Sequence, residues 1–567
     1  MTALDPFVPL ARVAYFSMEM ALRSEIPTYA GGLGVLAGDT LRAAADLEIP
    51  MVGVTLISHQ GYFRQAIDAQ GAQVEEPDPW NPERWMERLD AKIAVHIEGR
   101  KVWVQTWLYV LRGGAGFQNP ILMLDTDLEE NSPLDRDLTH YLYGKDDAYR
   151  LKQEVVLGIG GVRILQALGF DIHAYHLNEG HSALLALELL RRSERPPRDV
   201  SPGDSIYDVT QVRELCLFTT HTPVGAGHDQ FGYDLVWRTL DDFVDLQELK
   251  HLAGKDALNM TQLAMSLSNY VNGVARSHAE TSNHMFPGYH VHTVTNGVHG
   301  PTWTSPAFAR LFDRYVPPWR HEPELMVRAD RIPDTEVWQA HVQAKQDLVN
   351  TLQERTGAAL DIEQPLFGFA RRMAAYKRPN LLFSDLARLR AIAAKHPFSI
   401  VLAGKAHPRD SAGRGLIQLL HDVIASLRGD INVVFVPNYD MDISRKLVSG
   451  ADVWLNTPLP PMEASGTSGM KAAFNGVLNL SVLDGWWLEG CIDGVTGWAV
   501  GDHGRDGLGP DSDAGALYDL LENTVLPLYY DDRAAWTAMM KQAIAKNAYY
   551  FNSHRMMRRY ASEAYIR

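Results

Sequence analysis

A single lysine, Lys471, follows the small residues Ser465, Gly466, Thr467, Ser468 and Gly469 in the stretch EASGTSGMKAAFNG. A loop with so little side-chain bulk can turn its backbone N–H groups toward an anion. A lysine held beside it in dry surroundings loses its proton cheaply and can form a Schiff base with an aldehyde cofactor. Pyridoxal phosphate would use both features, its aldehyde on Lys471 and its phosphate near backbone donors. On Gly and Ser content alone, an ordinary helix lysine after a turn is the stronger reading.

A second cluster lies upstream in FGFARRMAAYKRPNLLF, where Arg371, Arg372, Lys377 and Arg378 crowd the turn after an apolar strand. A charge run is usually a solvated face. These four cations, however, sit at a strand's carboxyl end in a chain of formal charge -16. Other candidates occupy similar positions. Glu179 and His181 follow the strand of DIHAYHLNEGHS, and His221 stands at the tip of the apolar strand in CLFTTHTPVGAGHDQF. In α/β domains, strand ends of this kind carry ligand-contacting residues. Asn296, in HVHTVTNGVHGPTW, has an amide able both to donate to and to accept from sugar hydroxyls. The histidines invite a zinc reading, but their spacing does not fit one helical face and no cysteine pair assists, so no metal is expected.

The elements that must position these groups follow from apolar patterning. Arg12–Ser17 reads as a strand. Gly32, Gly34 and Ala37 match GxGxxG/A, yet Glu25, Ile26 and Pro27 separate them from that strand, so a helix-opening turn fits better than a dinucleotide site. Lys92–Leu111 reads as a hairpin turning at Glu98-Gly99-Arg100. Leu142–Phe170 reads as a long amphipathic helix after an acidic turn that holds Asp146 and Asp147. The second half alternates strands Leu366–Ala370, Ser399–Ala403, Asn432–Val436, Val453–Asn456 and Val477–Val482 with helices, which implies a doubly wound parallel sheet. GKAHPRD at Gly404–Asp410 lacks the P-loop spacing.

At 567 residues the chain should form more than one domain. Its 46% apolar and 22% charged residues are ordinary for a globular protein. The acidic balance argues against a nucleic-acid partner. Two cysteines far apart, Cys216 and Cys491, point away from a disulfide framework and toward a reducing compartment. With no secretory signal pattern and no membrane-length apolar run, a cytoplasmic, membrane-free protein is expected.

Together, EASGTSGMKAAFNG, LDGWWLEG and ARRMAAYKR closely resemble the signature motifs of the α-glucan phosphorylases, which act on glycogen, starch and maltodextrin, and matching blocks run from Val13 to about Met556. The resemblance implies two Rossmann-like α/β domains facing across a cleft, the glycosyltransferase B fold. These would be residues 1–300, on the glucan and phosphate side, and 301–546, binding pyridoxal phosphate, with a helix at 547–567 packing back on the first. It implies a hexosyltransferase: retaining phosphorolysis of an α-1,4-glucan to glucose 1-phosphate, with the cofactor's phosphate relaying a proton to inorganic phosphate. A phosphate's second pKa near 6 suits that task. No paired carboxylates are needed, unlike in an ordinary glycosidase.

By motif match, Arg372 and Lys377 would bind substrate phosphate, and Lys377 and Arg371 the cofactor phosphate. Thr467 and Tyr439 would orient the cofactor, with Gly469 in its loop and Trp303 packing near it. Glu463, Ser465, Gly466, Asn296 and His221 would hold the sugar, with Glu179 at the neighbouring strand end. The loop Gly31, Gly32, Leu33 and Gly34 would face the reacting phosphate, and Asp146 falls in the sugar-gate loop. Two like charges ~5 Å apart at an effective dielectric near 20 repel by roughly 3 kcal/mol, so two neighbouring phosphates need several cations.

There are departures. Ala374 and Asp147 replace the histidine and asparagine of the animal enzymes, Arg371 replaces a lysine, and the animal N-terminal regulatory extension is not matched. The stretch Asp125–Tyr141 is too short for the animal intersubunit helix, so allosteric control of that kind is not implied and subunit number, a homo-oligomer included, is left open. Two other readings share the fold. A nucleotide-sugar glucan synthase would explain the basic cluster but has no use for a Schiff-base lysine. A non-catalytic glucan-binding protein would have no need of Lys471 or of the Arg372 and Lys377 pair.

Overall fold

Strands buried on both faces read as continuous apolar runs, and that pattern dominates here. The structure, a computed structural model, describes residues 4–201, 204–224, 227–501 and 510–566. It is mixed α/β with two large, mostly parallel sheets. The chain divides into two compact units, one of Met1–Tyr62, Pro77–Val294 and Met557–Arg567, the other of Phe63–Glu76 and Thr295–Met556. Among the described residues no helix is long and apolar enough to cross a membrane.

The first unit is built on a nine-stranded sheet. Val13–Phe16 lies at its centre, parallel to Met51–Leu56 on one side and Ala174–Asn178 on the other. Beyond Ala174–Asn178 come Cys216–Thr219, Tyr270–Gly273 and the two-residue edge strand His292–Thr293. Beyond Met51–Leu56 comes Gln118–Asp125, followed by the antiparallel pair Arg100–Arg112 and Glu87–Ile97. Glu98 and Gly99 turn that pair, both with positive φ, as the hairpin signature predicts.

The expected amphipathic helix over Leu142–Phe170 is corrected. The helix spans Asp147–Val155 and Gly161–Ala167 through a wider turn at Val156–Gly160, and it is buried on nearly every side, Arg150, Gln153 and Glu154 included. Its glycines explain why. A Cβ on Gly161 would lie 2.4 Å from the Phe16 ring, and one on Gly158 2.5 Å from Leu185 N, so sheet and neighbouring helix press on it from two sides. Polar residues there mark a buried charge network rather than a solvent face. Arg150 bonds Glu154 at 2.9 Å and Asp229 at 2.9 Å.

The second unit holds a six-stranded, all-parallel sheet. In space the strands run Asn432–Val436, Ser399–Ala403, Leu366–Ala370, Val453–Asn456, Leu478–Val482 and Gly497–Val500, the order 3-2-1-4-5-6 of a doubly wound fold. Five strands match the sequence reading. The sixth escapes it because it opens on Gly497, at φ 144, where a Cβ would lie 2.2 Å from Asn479 O. The hairpin Arg64–Ile67 with Gln73–Glu76 belongs to this unit. Gln65 Nε2 donates to Gly404 O and Gln73 Nε2 to Ala406 O, each at 2.9 Å, so the hairpin ties down the GKAHP loop.

A continuous helix from Asn547 to Ile566 is also corrected. The helix restarts at Ser553, where Asn552 Oδ1 accepts the Arg555 N–H at 2.8 Å. Within the first unit, Tyr565 OH bonds His176 Nδ1 at 2.8 Å, and Tyr560 OH bonds Thr219 Oγ1 at 3.1 Å.

At the amino end of the second sheet, Asp452 accepts from His341 Nε2 at 2.8 Å, Lys345 Nζ at 2.7 Å and Leu366 N at 2.7 Å, all buried. Burial raises the carboxyl's affinity for a proton, yet Lys345 and His341 bring it down to about 2. Asp452→Ala leaves the Lys345 ammonium facing only neutral acceptors. We expect a loss of about 3–5 kcal/mol, seen as an earlier urea unfolding transition of this unit.

Candidate active site

In a doubly wound sheet, ligands bind beyond the carboxyl ends of strands where the winding reverses. In the second unit that point lies between Leu366–Ala370 and Val453–Asn456, and the candidate residues gather there. The first strand delivers Arg371 and, through a tight turn, Lys377; the second leads to Glu463 and the Lys471 helix.

Lys471 is not an ordinary solvated helix lysine. It lies in Ser468–Ala473, is 5% exposed, and its Nζ sits 4.1 Å from the centre of the Trp303 ring. Asn475, which sequence reasoning passed over, fixes that pairing. Its Nδ2 donates to Trp303 O at 2.9 Å and Lys471 O at 3.1 Å, while its Oδ1 accepts from Ser305 N at 2.7 Å. Thr467 starts the helix and its carbonyl accepts the Lys471 N–H at 3.2 Å. Gly469 is demanded by packing, since a Cβ there would lie 2.4 Å from Asn479 Oδ1 and 2.7 Å from Trp486.

The cation cluster resolves into distinct roles. Lys377 Nζ donates to Glu463 Oε1 and Oε2 at 2.8 and 2.7 Å, and Arg371 Nη2 to Oε2 at 2.5 Å. All three charged groups are about nine-tenths buried or more. Arg371 Nε and Nη1 are buried without a partner. Burial opposes the charge on Glu463, but the two cations overcome it and hold the carboxyl at about 2. Arg372 stands exposed. Arg378 is part of the scaffold: it donates to Thr457 O and Pro458 O and pairs with Asp513 at 2.7 Å. Tyr439 OH bonds Ser444 Oγ at 2.7 Å, and burial pushes the phenol up to about 12.

Asn296 Oδ1 and Ser465 Oγ, in the same unit, are likewise buried without a partner. Asn296 sits in a turn pinned at Val298, whose N–H donates to Phe551 O at 3.1 Å. The Ser465 turn depends on Gly466, at φ 84, and on Gly485, where a Cβ would lie 2.5 Å from Ser465 O. Asp484, another residue missed in the sequence, accepts from Glu463 N at 2.9 Å and Gly485 N at 2.8 Å.

In the first unit, the carboxyl ends of Ala174–Asn178 and Cys216–Thr219 meet at Glu179, whose φ is 71. Its carboxylate accepts from Gly180 N at 2.9 Å, His221 N at 2.7 Å and Thr222 Oγ1 at 3.0 Å, so it acts as a clamp on the His221 loop. Burial raises its pKa despite those donors. His221 Nε2 bonds Asn178 Oδ1 at 2.7 Å, and burial keeps the ring neutral.

Gly31 caps the helix Gly32–Asp46, as the helix-opening reading expects. Glu19, unrecognised in the sequence, organises this turn: Oε2 accepts from Ala30 N at 2.6 Å and Gly31 N at 3.1 Å, and Oε1 from Tyr143 OH at 2.7 Å. A Cβ on Gly34 would lie 2.7 Å from that carboxylate, whereas Gly32 faces open space beside half-exposed Leu33. Asp146 caps its helix, accepting from Tyr149 N at 2.8 Å. Among the described residues no group of three or more His, Cys, Asp or Glu is arranged to hold a metal ion.

The family model described as carbohydrate phosphorylase matches residues 22–107 and 228–491. A maltodextrin phosphorylase of Thermococcus litoralis is 40% identical, over 98% of this chain and 70% of its own length. A glycogen phosphorylase of Aquifex aeolicus is 35% identical, over 98% and 86%. An uncharacterized protein of Methanocaldococcus jannaschii is 30% identical, over 97% and 99%.

The site carries a pH signature. Burial pushes Asp484 up to about 7, so the folded protein holds this proton more tightly than the unfolded chain. That stabilisation is full below the ordinary aspartate range and disappears as pH rises through about 7. Asp484→Asn cannot titrate. The thermal midpoint of the native protein relative to this variant should fall between about pH 5 and about pH 9, and a constant offset would contradict the shift.

Proposed function

Because the chain belongs to the carbohydrate phosphorylase family, we propose that it is an α-1,4-glucan phosphorylase. It moves the non-reducing-end glucose of a glycogen- or maltodextrin-like glucan onto inorganic phosphate, giving α-D-glucose 1-phosphate reversibly and with retention. The observation that carries this reading is the buried Lys471 against Trp303, in the same sheet-end cluster as a cation pair whose Arg371 keeps two buried donors without partners.

These residues fit pyridoxal 5′-phosphate as resident cofactor. A primary amine, an aromatic face and surplus N–H donors are the groups that an aldehyde, a pyridine ring and a phosphate require. Lys471 would be its attachment point, Trp303 its packing partner, and Arg371, Tyr439, Thr467 and the Gly469 turn its surroundings. When bound, it supplies a phosphate able to take and return a proton near neutral pH.

The chain's own groups do the rest. Lys377 and Arg372 bind the substrate phosphate and offset its charge, which matters most where water is excluded. Asn296, with its buried acceptor, and Glu463, Ser465 and Gly466 hold sugar hydroxyls. In the first unit, the Glu179 clamp fixes the His221 backbone as a contact for the glucosyl unit, and Gly31, Gly32 and Leu33 present a loop with an open backbone face. Asp146 orders the loop that admits the sugar.

The purified protein should carry about one pyridoxal phosphate, fixed by borohydride to Lys471. It should form glucose 1-phosphate from maltodextrin only when phosphate is supplied. Transfer from UDP- or ADP-glucose without phosphate dependence would overturn the reading in favour of a synthase. Lys471→Ala should lose the chromophore while keeping its fold by circular dichroism. Arg372→Ala should chiefly raise KM for phosphate, by on the order of tenfold or more, with a smaller effect on glucan KM.

A further inference from the structure

Two glutamines of the hairpin Arg64–Ile67 with Gln73–Glu76 are buried, and every amide N–H of the pair is engaged. Gln65 and Asn438 bond each other twice: the Gln65 N–H donates to Asn438 Oδ1 at 3.1 Å, and Gln65 Oε1 accepts the Asn438 N–H at 2.9 Å. That exchange holds Asn438 in the left-handed region, at φ 54, immediately before Tyr439. Gln65 Nε2 donates to Gly404 O at 2.9 Å and to Gln73 Oε1 at 2.8 Å, while the Gln73 amide brackets Ala406, donating to its carbonyl and accepting its N–H, each at 2.9 Å. The loop so held lies against Arg371. A Cβ on Gly404 would collide with Arg371 O, and the Met373 N–H donates to Lys405 O at 3.0 Å. One side chain thus links the loops that follow the neighbouring strands Asn432–Val436 and Ser399–Ala403, and through the second of them it steadies the loop after Leu366–Ala370.

We propose that Gln65 is a positioning residue for the cofactor pocket: acting through Asn438 on Tyr439 and through Gly404 on Arg371, it sets how firmly pyridoxal phosphate is held. This inference rests on the phosphorylase reading. A pocket whose groups already stand in place does not have to order them when the ligand arrives. A satisfied buried amide pair supplies that order without adding charge beside the cations. The hairpin comes from an early part of the chain, so a segment remote in sequence from Lys471 governs retention of the group that Lys471 would carry.

Gln65→Met keeps the length of the side chain and removes its amide. The measured quantity is the rate at which the holoenzyme loses its pyridoxal phosphate absorbance under excess hydroxylamine. Gln65→Met should lose it at least about fivefold faster than the native protein. Asn438→Gly keeps the left-handed turn but lacks the side chain that Gln65 bonds, and it should shift the rate in the same direction without altering the hairpin. Because both changes break one exchange, the double variant should lose cofactor at about the rate of the faster single variant. Arg64→Ala, which breaks the hairpin's exposed pair with Glu76, should stay within about twofold of the native rate. Rates within about twofold of native in both Gln65→Met and Asn438→Gly, or effects that multiply in the double variant, would overturn the proposal. Equally fast loss from Arg64→Ala would do the same, as the mark of a general loosening of the hairpin. Native protein that carries pyridoxal phosphate, with Gln65→Met holding it as firmly, removes this inference alone; native protein that binds none removes the functional reading with it.

Discussion

The second unit depends on an imbalance of charge that the protein creates and only half settles. Two cations, Arg371 and Lys377, are withdrawn from water around one carboxylate, Glu463. Buried charges are tolerated when paired and hydrogen-bonded, and one carboxylate cannot satisfy every donor of a guanidinium and an ammonium. The surplus shows in the unpartnered Arg371 nitrogens. The surrounding structure holds this arrangement in place. The reversal of winding between two parallel strands supplies the position, Asp484 fixes the Glu463 backbone, and Arg378 ties the following loop through Thr457 and Pro458 carbonyls. A site with excess cationic donors in an acidic protein needs no long-range attraction; its selectivity is local.

The first unit uses carboxylates in the opposite way. Glu19 and Glu179 both spend their acceptors on backbone N–H groups of a loop. Glu19 thereby rigidifies main chain at a helix start and Glu179 at a strand end, where a small displacement would spoil contacts to a ligand. In the second unit a buried carboxylate pairs with cations, and in the first, two carboxylates hold backbone.

Five strands of the second sheet, and in the first sheet the central strand, those ahead of Glu179 and His221 and the Lys92–Leu111 hairpin, were legible because buried strands leave apolar runs and hairpins alternate around a turn, whereas Met51–Leu56, Gln118–Asp125 and Tyr270–Gly273 were not read. Lys471 and the basic turn were legible through motif. What escaped was whatever depends on long-range partners. Glu19, Asn475 and Asp484 look like unremarkable polar residues, and only the folded chain brings Glu19 to Gly31, Asn475 to Trp303 and Asp484 to Glu463. Arg378 read as one more site cation, since nothing local distinguishes a side chain that will bond carbonyls some 80 residues away. The helix after Asp146 misled for a related reason: its polar residues face protein partners such as Asp229, which periodicity cannot tell from water.

The path of the chain has a consequence for biosynthesis. Residues 63–76 are made within the first unit's sequence but pair with Gly404 and Ala406 of the second, and the first unit in turn takes Tyr560 and Tyr565 from beyond the second. The first unit's stretch of sequence therefore emerges carrying both an orphan hairpin and a sheet whose His176 and Thr219 have yet to meet their phenols. Domains usually mature one after another as they emerge. Here the order of synthesis forbids it, because the first unit completes its hydrogen bonding only with residues made after the second unit.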